Sequence, residues 1–251
     1  MKLLRLDGWG SRLIVALTLA GVCAGAHAQG VPLVTARSGD GGTVYTVPVQ
    51  TLLLMTALGF LPAALMLMTC FTRILIVMSL VRQALGLQAM PPNSVLVALT
   101  LFLTFFVMSP TIDRIHEQAW KPYAAGNMGL EQAVERGAQP LREFMLNHTR
   151  DSDLEMFARM AGTTELQRET VALRILVPAF ALSEIRAGFI IGFLIYLPFI
   201  VIDLAVASIL TSIGMVMVSP LMFSLPLKII VFALADGWSL LAGSLVSSYL
   251  R

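Results

Sequence analysis

The fold is decided by two apolar stretches near the carboxyl end, AGFIIGFLIYLPFIVIDLAVASILTSI at residues 187–213 and LMFSLPLKIIVFALADGWSLLAGSLVSSYL at residues 221–250. Each stretch is long enough as a helix to cross a hydrocarbon core, which takes about 20 residues. Together they carry only three charged side chains, those of Asp203, Lys228 and Asp236. The apolar residues between the stretches form a tight turn, so the sequence predicts a hairpin of two long helices.

A similar pair of apolar stretches comes earlier in the chain, at residues 51–72 and 94–112. The segment between the two pairs is polar: of the 17 Lys and Arg and 15 Asp and Glu residues, 18 fall between positions 113 and 174. Apolar residues recur there at helical spacing. We therefore predict an all-α, membrane-associated fold with four long apolar helices. Its segments are a first hairpin at 49–112, a helical insert at 113–186, and a second hairpin with a Met-containing turn at 187–251.

The composition excludes two broad classes of protein. The chain has 251 residues, 57% of them hydrophobic and only 13% charged, and its mean hydropathy is +0.82. Soluble globular domains carry about 25% charged residues, so this chain has too few to cover a soluble surface. The net charge of +2 is too small for binding to phosphate backbones, and no nucleic-acid partner is expected.

Residues 1–28 have the layout of a cleavable signal peptide. A positive start at Lys2 and Arg5 precedes an apolar run and a small-x-small motif that ends at Ala28. We expect cleavage after Ala28, with an uncleaved first membrane helix as the alternative. Residues 29–48 are expected to form a flexible tail. With the leader removed, the tail and the insert both lie on the periplasmic side of the membrane.

The sequence lacks the residue patterns of catalytic centres. His116 and His148 have no metal-ligand spacing around them, and no phosphate-binding loop or nucleophile elbow occurs. Asp203 and Asp236 resemble the carboxylate pair of an intramembrane protease only in number, because the Gly-x-Gly-Asp pattern is missing. We predict a protein that is not an enzyme, with no catalytic, cofactor-binding or metal-binding residues.

Charged residues within apolar helices are costly and usually pair or contact water. If the second hairpin turns at Val216, Asp203 lies 13 residues before the turn and Lys228 lies 12 after it. The two therefore sit at nearly the same depth, and we predict that they pair, within one subunit or between subunits. The alternative is that each contacts water near a membrane surface. Three other polar side chains are expected to be buried: Arg73, Glu184 and Asp236.

Small residues at helical spacing mark two candidate packing faces. Gly188 and Gly192 form one such pair, and Ala233 and Gly237 form the other. Helices in lipid associate where small residues let their backbones come close. Packing within one hairpin and packing between chains are both open on this pattern.

Several long motifs resemble the FliP family of flagellar biosynthetic proteins. The two most characteristic are PAFALSEIRAGF at residues 178–189 and PLKIIVFALADGW at residues 226–238. Shorter family-like runs are FTRI at 71–74, PPN at 91–93, FLTFFVMSP at 102–110 and GAQPLREFM at 137–145. The resemblance covers almost all of the chain after the leader.

The resemblance implies a core subunit of the export gate of the flagellar type III secretion apparatus, at the basal body in the bacterial inner membrane. Such subunits form a pentameric ring with FliQ and FliR and, among the other membrane proteins of the export apparatus, make the channel for unfolded flagellar proteins. The family's Met-rich turn corresponds to Met215, Val216 and Met217, which implies a channel constriction there. Protein neighbours, rather than lipid, would then cover the charged residues of the apolar helices.

Two other functions compete with this one. The equivalent export-gate subunit of a virulence injectisome is the nearer alternative, and the cleavable leader favours the flagellar branch. A small-solute transporter is a further alternative, but it would need a polar site at the midplane and broken helices. One Asp and one Lys give that reading little support.

Overall fold

The computed structural model describes residues 35–39, 42–46, 49–87, 90–162, 168, 171–215 and 217–249. The chain divides into two compact units, Met1–Leu61 and Pro62–Arg251. The predicted leader, residues 1–28, lies outside the described residues.

The first unit contains an antiparallel β-hairpin where the sequence analysis expected a flexible tail. Strand β1 (Thr35–Gly39) pairs with β2 (Gly42–Thr46), and Thr35 lies opposite Thr46. The prediction for residues 29–48 is therefore corrected for these ten residues. Thr, Val and Tyr recur in the second strand, and these β-branched and aromatic residues favour extended backbone.

The first predicted span is broken into two helices. Helix α1 (Val49–Leu67) begins in the first unit and ends in the second, and α2 (Phe71–Ala84) follows. The hydroxyl of Thr69 donates to the carbonyl of Met66 (2.9 Å) and accepts from the amide N–H of Phe71 (3.3 Å). Because these bonds compete with the helical pattern, they account for the break.

The insert is helical, as predicted. Helix α3 (Asn93–Ile115) leads into it, and its own elements are a π-helical turn (His116–Trp120), α4 (Lys121–Ala124), α5 (Leu130–His148) and α6 (Asp151–Met160). α3 is the second predicted apolar helix, and it continues through the π-helical turn into α4. Apolar residues at helical spacing bury one face of α5 and α6: Phe144, Met145, Leu154 and Ala158.

Helix α7 (Leu173–Ser212) is 40 residues long and begins well before the predicted start at residue 187. The expected boundary between insert and second hairpin therefore falls inside a continuous helix. Charged residues such as Arg174 and Arg186 mark the edge of the apolar stretch, but they favour helix as readily as apolar residues do. At about 1.5 Å per residue, α7 is roughly 60 Å long, about twice the thickness of a hydrocarbon core.

The last predicted span is also two helices. α8 (Leu221–Leu234) and α9 (Gly237–Ser247) meet at a bend of 63°. Asp236, at the bend, has the left-handed backbone conformation with φ of 49°. Asp adopts this conformation more readily than most residues, but a right-handed helix cannot continue through it. The continuous helix expected over residues 221–250 is therefore corrected to a bent pair.

Helix α2 occupies the centre of the second unit. Ile74, Val77 and Val81 on α2 are completely buried, and α2 packs chiefly against α7 and α3. The remainder of the core comes from one face of the insert and from the end of α9, where Leu245 is buried.

The all-α, membrane-associated fold class is confirmed, with the two-stranded hairpin as an addition. Among the described residues, two continuous helical segments, Asn93–Ala124 and Leu173–Ser212, are long and apolar enough to cross a membrane. The number rises to four if α1 with α2 and α8 with α9 each count as one span. Much of the apolar surface of α3, α7 and α8 is exposed in the single chain, including Phe102, Phe193 and Leu234.

Candidate functional site

Asp203 and Lys228, which the sequence analysis expected to pair, lie next to each other in the structure. The Nζ of Lys228 on α8 lies 2.5 Å from Oδ2 of Asp203 on α7. Lys228 is 2% exposed, whereas the side chain of Asp203 is 36% exposed. The same ammonium group donates to the carbonyl of Ala84 at 3.0 Å. Ala84 is the last residue of α2, where the helix dipole is negative and favours a cation. The Lys228 ammonium therefore connects α8 with both α2 and α7.

A second buried ion pair lies nearer the other end of α2. Arg73 on α2 donates through Nη2 to Oε1 of Glu184 on α7, and Glu184 is fully buried. The hydroxyl of Tyr249 donates to the other carboxylate oxygen, Oε2. Arg73 also donates to the Ser248 hydroxyl at 3.3 Å, and its guanidinium carbon lies 4.0 Å from the centre of the Tyr249 ring. The expected burial of Arg73 and Glu184 is thus present in the structure.

Tyr249 is the part of this cluster that the sequence analysis missed. It follows α9, two residues before the end of the sequence, with only a serine-rich apolar helix before it, so no local pattern distinguishes it. Burial raises the pKa of the Tyr249 hydroxyl, and the neighbouring Glu184 carboxylate raises it further. The phenol therefore stays protonated and remains a donor to the carboxylate.

A third polar group joins the insert to α7. The hydroxyl of Ser183 donates to Oδ2 of Asp153 at 2.8 Å and accepts from the amide N–H of Arg150 at 3.1 Å. Arg186 lies 3.1 Å from Oδ1 of the same aspartate, which is 2% exposed. Sequence reasoning placed Ser183 and Arg186 in a family-like motif but gave no reason to pair them with Asp153.

Asp236 is not buried, which corrects the expectation for that residue. Its side chain is exposed at the bend between α8 and α9. The bend also separates Ala233 from Gly237, so these two residues do not share one helix face. A Cβ on Gly237 would lie 2.3 Å from the ring of Phe232, so this glycine admits the aromatic ring at the bend. Ala233 is exposed.

Gly188 and Gly192 do form a packing face, and it lies against α2 of the same chain. A Cβ on Gly192 would lie 2.4 Å from Cδ1 of Leu80, and one on Gly188 would lie 3.2 Å from Cβ of Ile76. The contact is therefore neither within one hairpin nor between chains. It joins the first hairpin to the second, because α2 and α7 belong to different predicted hairpins.

The Met-containing turn lies between α7 and α8. Gly214 has a positive φ of 82°, which ends α7. Met217 is fully exposed and Met215 is 40% exposed. Val216, the middle residue of the predicted constriction, lies outside the described residues. Turns favour Gly, Pro, Asn, Asp and Ser, so exposed methionines here fit a surface that another molecule covers.

These clusters position helices and offer little for catalysis. Each buried charge is already engaged by an opposite charge or by backbone, and no three His, Cys, Asp or Glu side chains in the described part of the chain are grouped to hold a metal ion. What the arrangement does is fix α2, α7 and α8 relative to one another, with the Met-containing turn at one end.

Comparison with known proteins shows the family. The model of the FliP family matches residues 54–245. A flagellar biosynthetic protein FliP from Pectobacterium carotovorum is 53% identical over 86% of this chain and 84% of its own length. The corresponding protein of Bacillus subtilis is 47% identical over 80% and 91%, and that of Aquifex aeolicus is 42% identical over 93% and 98%.

The similarity confirms the resemblance that the motifs at residues 178–189 and 226–238 indicated. It spans the insert and most of both apolar hairpins rather than one segment. The family is not one of enzymes, in agreement with the chemistry of the clusters. The chain belongs to the FliP family of flagellar biosynthetic proteins.

Proposed function

We propose that this chain is a core subunit of the flagellar type III protein export gate. It forms, with FliQ-like and FliR-like subunits, the channel through which unfolded flagellar proteins cross the inner membrane at the basal body. Membership of the FliP family supports a role in the flagellar export apparatus. The finer statement, a ring of five copies around a channel, is the proposal.

The observation that carries this proposal is the exposed apolar surface around the Met-containing turn. Met217 is fully exposed, and Ile213 directly after α7 and Met222 at the start of α8 are each more than half exposed. Surfaces of this kind mark contact with lipid or with other protein chains. A ring of like subunits would cover the helix faces and bring the turns of all copies together around one axis.

The two buried ion pairs fit a subunit that must hold its shape inside an assembly. Lys228 and Glu184 are almost completely buried within one chain. Their charges therefore do not contact lipid, which would be costly. Their partners lie on different helices, and the pairs fix the hairpin that carries Met215 and Met217. Those two residues, with Val216, would form the constriction of the channel.

The leader and the topology complete the proposal. Removal of residues 1–28 would leave the mature amino end and the insert on the periplasmic side. Energy for transport would come from other components of the apparatus, since the chain itself is not an enzyme.

The number of copies in the native complex tests the proposal. The tagged chain would be produced together with its FliQ-like and FliR-like partners, extracted in mild detergent and measured by native mass spectrometry. We expect five copies in one complex with both partners. Recovery of the chain only as a stable, lipid-embedded monomer, with neither partner bound, would contradict it.

A further inference from the structure

An apolar cavity of about 380 Å³ lies between α7, α8 and α9. Pro198 and Ile202 line it from α7, Val231 from α8 and Leu241 from α9, and Ser244 is the only polar residue in the lining. Sites for compact ligands have volumes of about 300–1,000 Å³ and carry several polar groups that fix the ligand's orientation. With a single hydroxyl, this cavity fits an apolar group rather than a polar metabolite.

The aromatic wall of the cavity is already formed in the single chain. Gly237 lets the ring of Phe232 lie at the bend, because a Cβ there would lie 2.3 Å from the ring. The Phe232 ring meets the Trp238 ring edge-on, with centroids 5.2 Å apart, and its centroid lies 6.3 Å from that of Phe199. Contacts on both sides therefore hold the Phe232 ring, and a bound group does not have to order it.

A free carboxylate lies next to the cavity. Asp236 lies between Ala235 and Gly237, which both line the cavity, and its side chain is exposed. The carboxylate does not cap α9, and it forms no ion pair with any residue that the structure describes. Covering a carboxylate without giving it a cation or a donor is costly. An acyl chain would fill the cavity but leave this charge unmatched.

In the part of the chain that the structure describes, the apolar helices do not offer a free cation for Asp236. α1 and α9 carry no charged residue, and the two arginines of α7 lie in the part of that helix next to the insert. The four cations of α2, α3 and α8 are already bonded: Arg73 to Glu184, Arg82 to Asn93, Arg114 to Glu143 and Lys228 to Asp203. The charge therefore favours a different chain over a second copy as the partner.

We propose that this cavity binds a bulky apolar side chain from a helix of a different subunit, and that a Lys or Arg of the same helix pairs with Asp236. A Leu or aromatic side chain fills the cavity, as anchors do in protein interfaces. The ion pair selects the partner and sets its orientation. This inference rests on the proposed function, since it states what another subunit of the export gate must present.

The test uses the full chain produced together with its FliQ-like and FliR-like partners. The readout is the concentration at which the partners dissociate on dilution in detergent, followed by native mass spectrometry. Ser244→Trp places a bulky side chain in the cavity, and we expect dissociation at a concentration about tenfold higher or more. Ser239→Trp is the matched control, because Ser239 is also exposed on α9 but does not line the cavity. Thermal unfolding of each variant alone checks that it folds.

The charge is tested separately at Asp236. Asp236→Asn removes the charge but keeps a residue type that tolerates the φ of 49°, and we expect about tenfold weaker binding of the partner. Asp236→Lys should weaken it further, and a change of one Lys or Arg to Glu in a partner helix should restore it. If no such change restores binding, the ion pair is overturned.

Equal binding of the partners by the unchanged chain, Ser244→Trp and Asp236→Asn would overturn the inference and leave the export-gate proposal standing. If the unchanged chain binds neither partner, both fail. Equal loss in Ser239→Trp and Ser244→Trp would overturn the role of the cavity. Fewer copies of this chain in Ser244→Trp, with the partners retained, would overturn the inference and assign the cavity to a second copy. Loss of bound lipid, with the partners retained, would overturn it in favour of an acyl chain.

Discussion

Lys228 pairs with Asp203 at 2.5 Å across the turn between α7 and α8, and the two partners differ sharply in exposure. The lysine is 2% exposed and the aspartate side chain 36%. A lysine left without its partner has no path to water, whereas the aspartate does. Removing the aspartate should therefore destabilise the fold more than removing the lysine.

This asymmetry predicts an order of stability. Asp203→Asn removes the negative charge and leaves the buried cation with neutral acceptors such as the Ala84 carbonyl, and breaking a buried pair in this way costs about 3–5 kcal/mol. Lys228→Met removes the buried charge, keeps an unbranched chain and should cost less. Thermal unfolding of the full chain in detergent gives the order directly. The double variant should resemble Lys228→Met, and a double variant less stable than Asp203→Asn would contradict the explanation.

The hydrogen bond from Tyr249 to Glu184 gives a second prediction. Tyr249→Phe removes the donor but keeps the ring that lies over Arg73, so we expect a loss of about 1.5–3 kcal/mol, as for a bond to a charged group. Unfolding by denaturant measures the change. Tyr123→Phe is the control because that tyrosine is exposed, and it should have almost no effect. Similar losses in both would show that the bond to Glu184 does not stabilise the chain.

The contact between Gly192 and Leu80 gives a third prediction. Gly192→Ala places a methyl group against Leu80, and overpacking of this kind costs about 1–3 kcal/mol. Gly243→Ala is the matched control, because a Cβ there meets nothing within 4 Å. That change should be neutral or stabilising by up to about 1 kcal/mol, since Ala favours helix over Gly.

Thermal unfolding of both glycine variants checks this prediction, and Leu80→Ala introduced with Gly192→Ala should restore part of the loss. If Gly192→Ala and Gly243→Ala were equally stable, close approach of α2 and α7 would not depend on the glycine.

The Met-containing turn gives a prediction about the assembled complex. Replacing Met215 and Met217 with Gly removes the apolar side chains that would exclude water and ions from a constriction. We expect higher ion leakage across membranes that contain the complex, measured as conductance. Replacing both with Leu keeps apolar volume and should leave the complex closed. Unchanged conductance in the Gly variant would count against a seal at this turn.

Depth along a hairpin is the one local signal that relates Asp203 to Lys228. Counting residues from the turn to Asp203 and Lys228 placed the two charges at one level, and the structure pairs them. The equal depth of the two charges does not depend on where the helices begin, because both helices rise by the same distance per residue from the turn. The separation into apolar, polar and apolar segments followed from composition in the same way.

The breaks and the long-range partners were not predictable from local patterns. The side-chain hydroxyl of Thr69 breaks one apolar stretch, and the left-handed backbone of Asp236 breaks another. A hydropathy average over a window of residues detects neither break. The partner of Glu184 lies 111 residues away in the sequence. Tyr249 joins the same cluster across 65 residues. Only the folded arrangement of α2, α7 and α9 brings these groups together.

Helix α7 runs without a break from Leu173, beside the insert, to Ser212, next to the Met-containing turn. Its first half is bound to the insert through Ser183 and Arg186, and its second half to α8 through Asp203. No loop separates these two attachments. A displacement of the insert would therefore move the Met-containing turn as well, because one continuous helix joins the two.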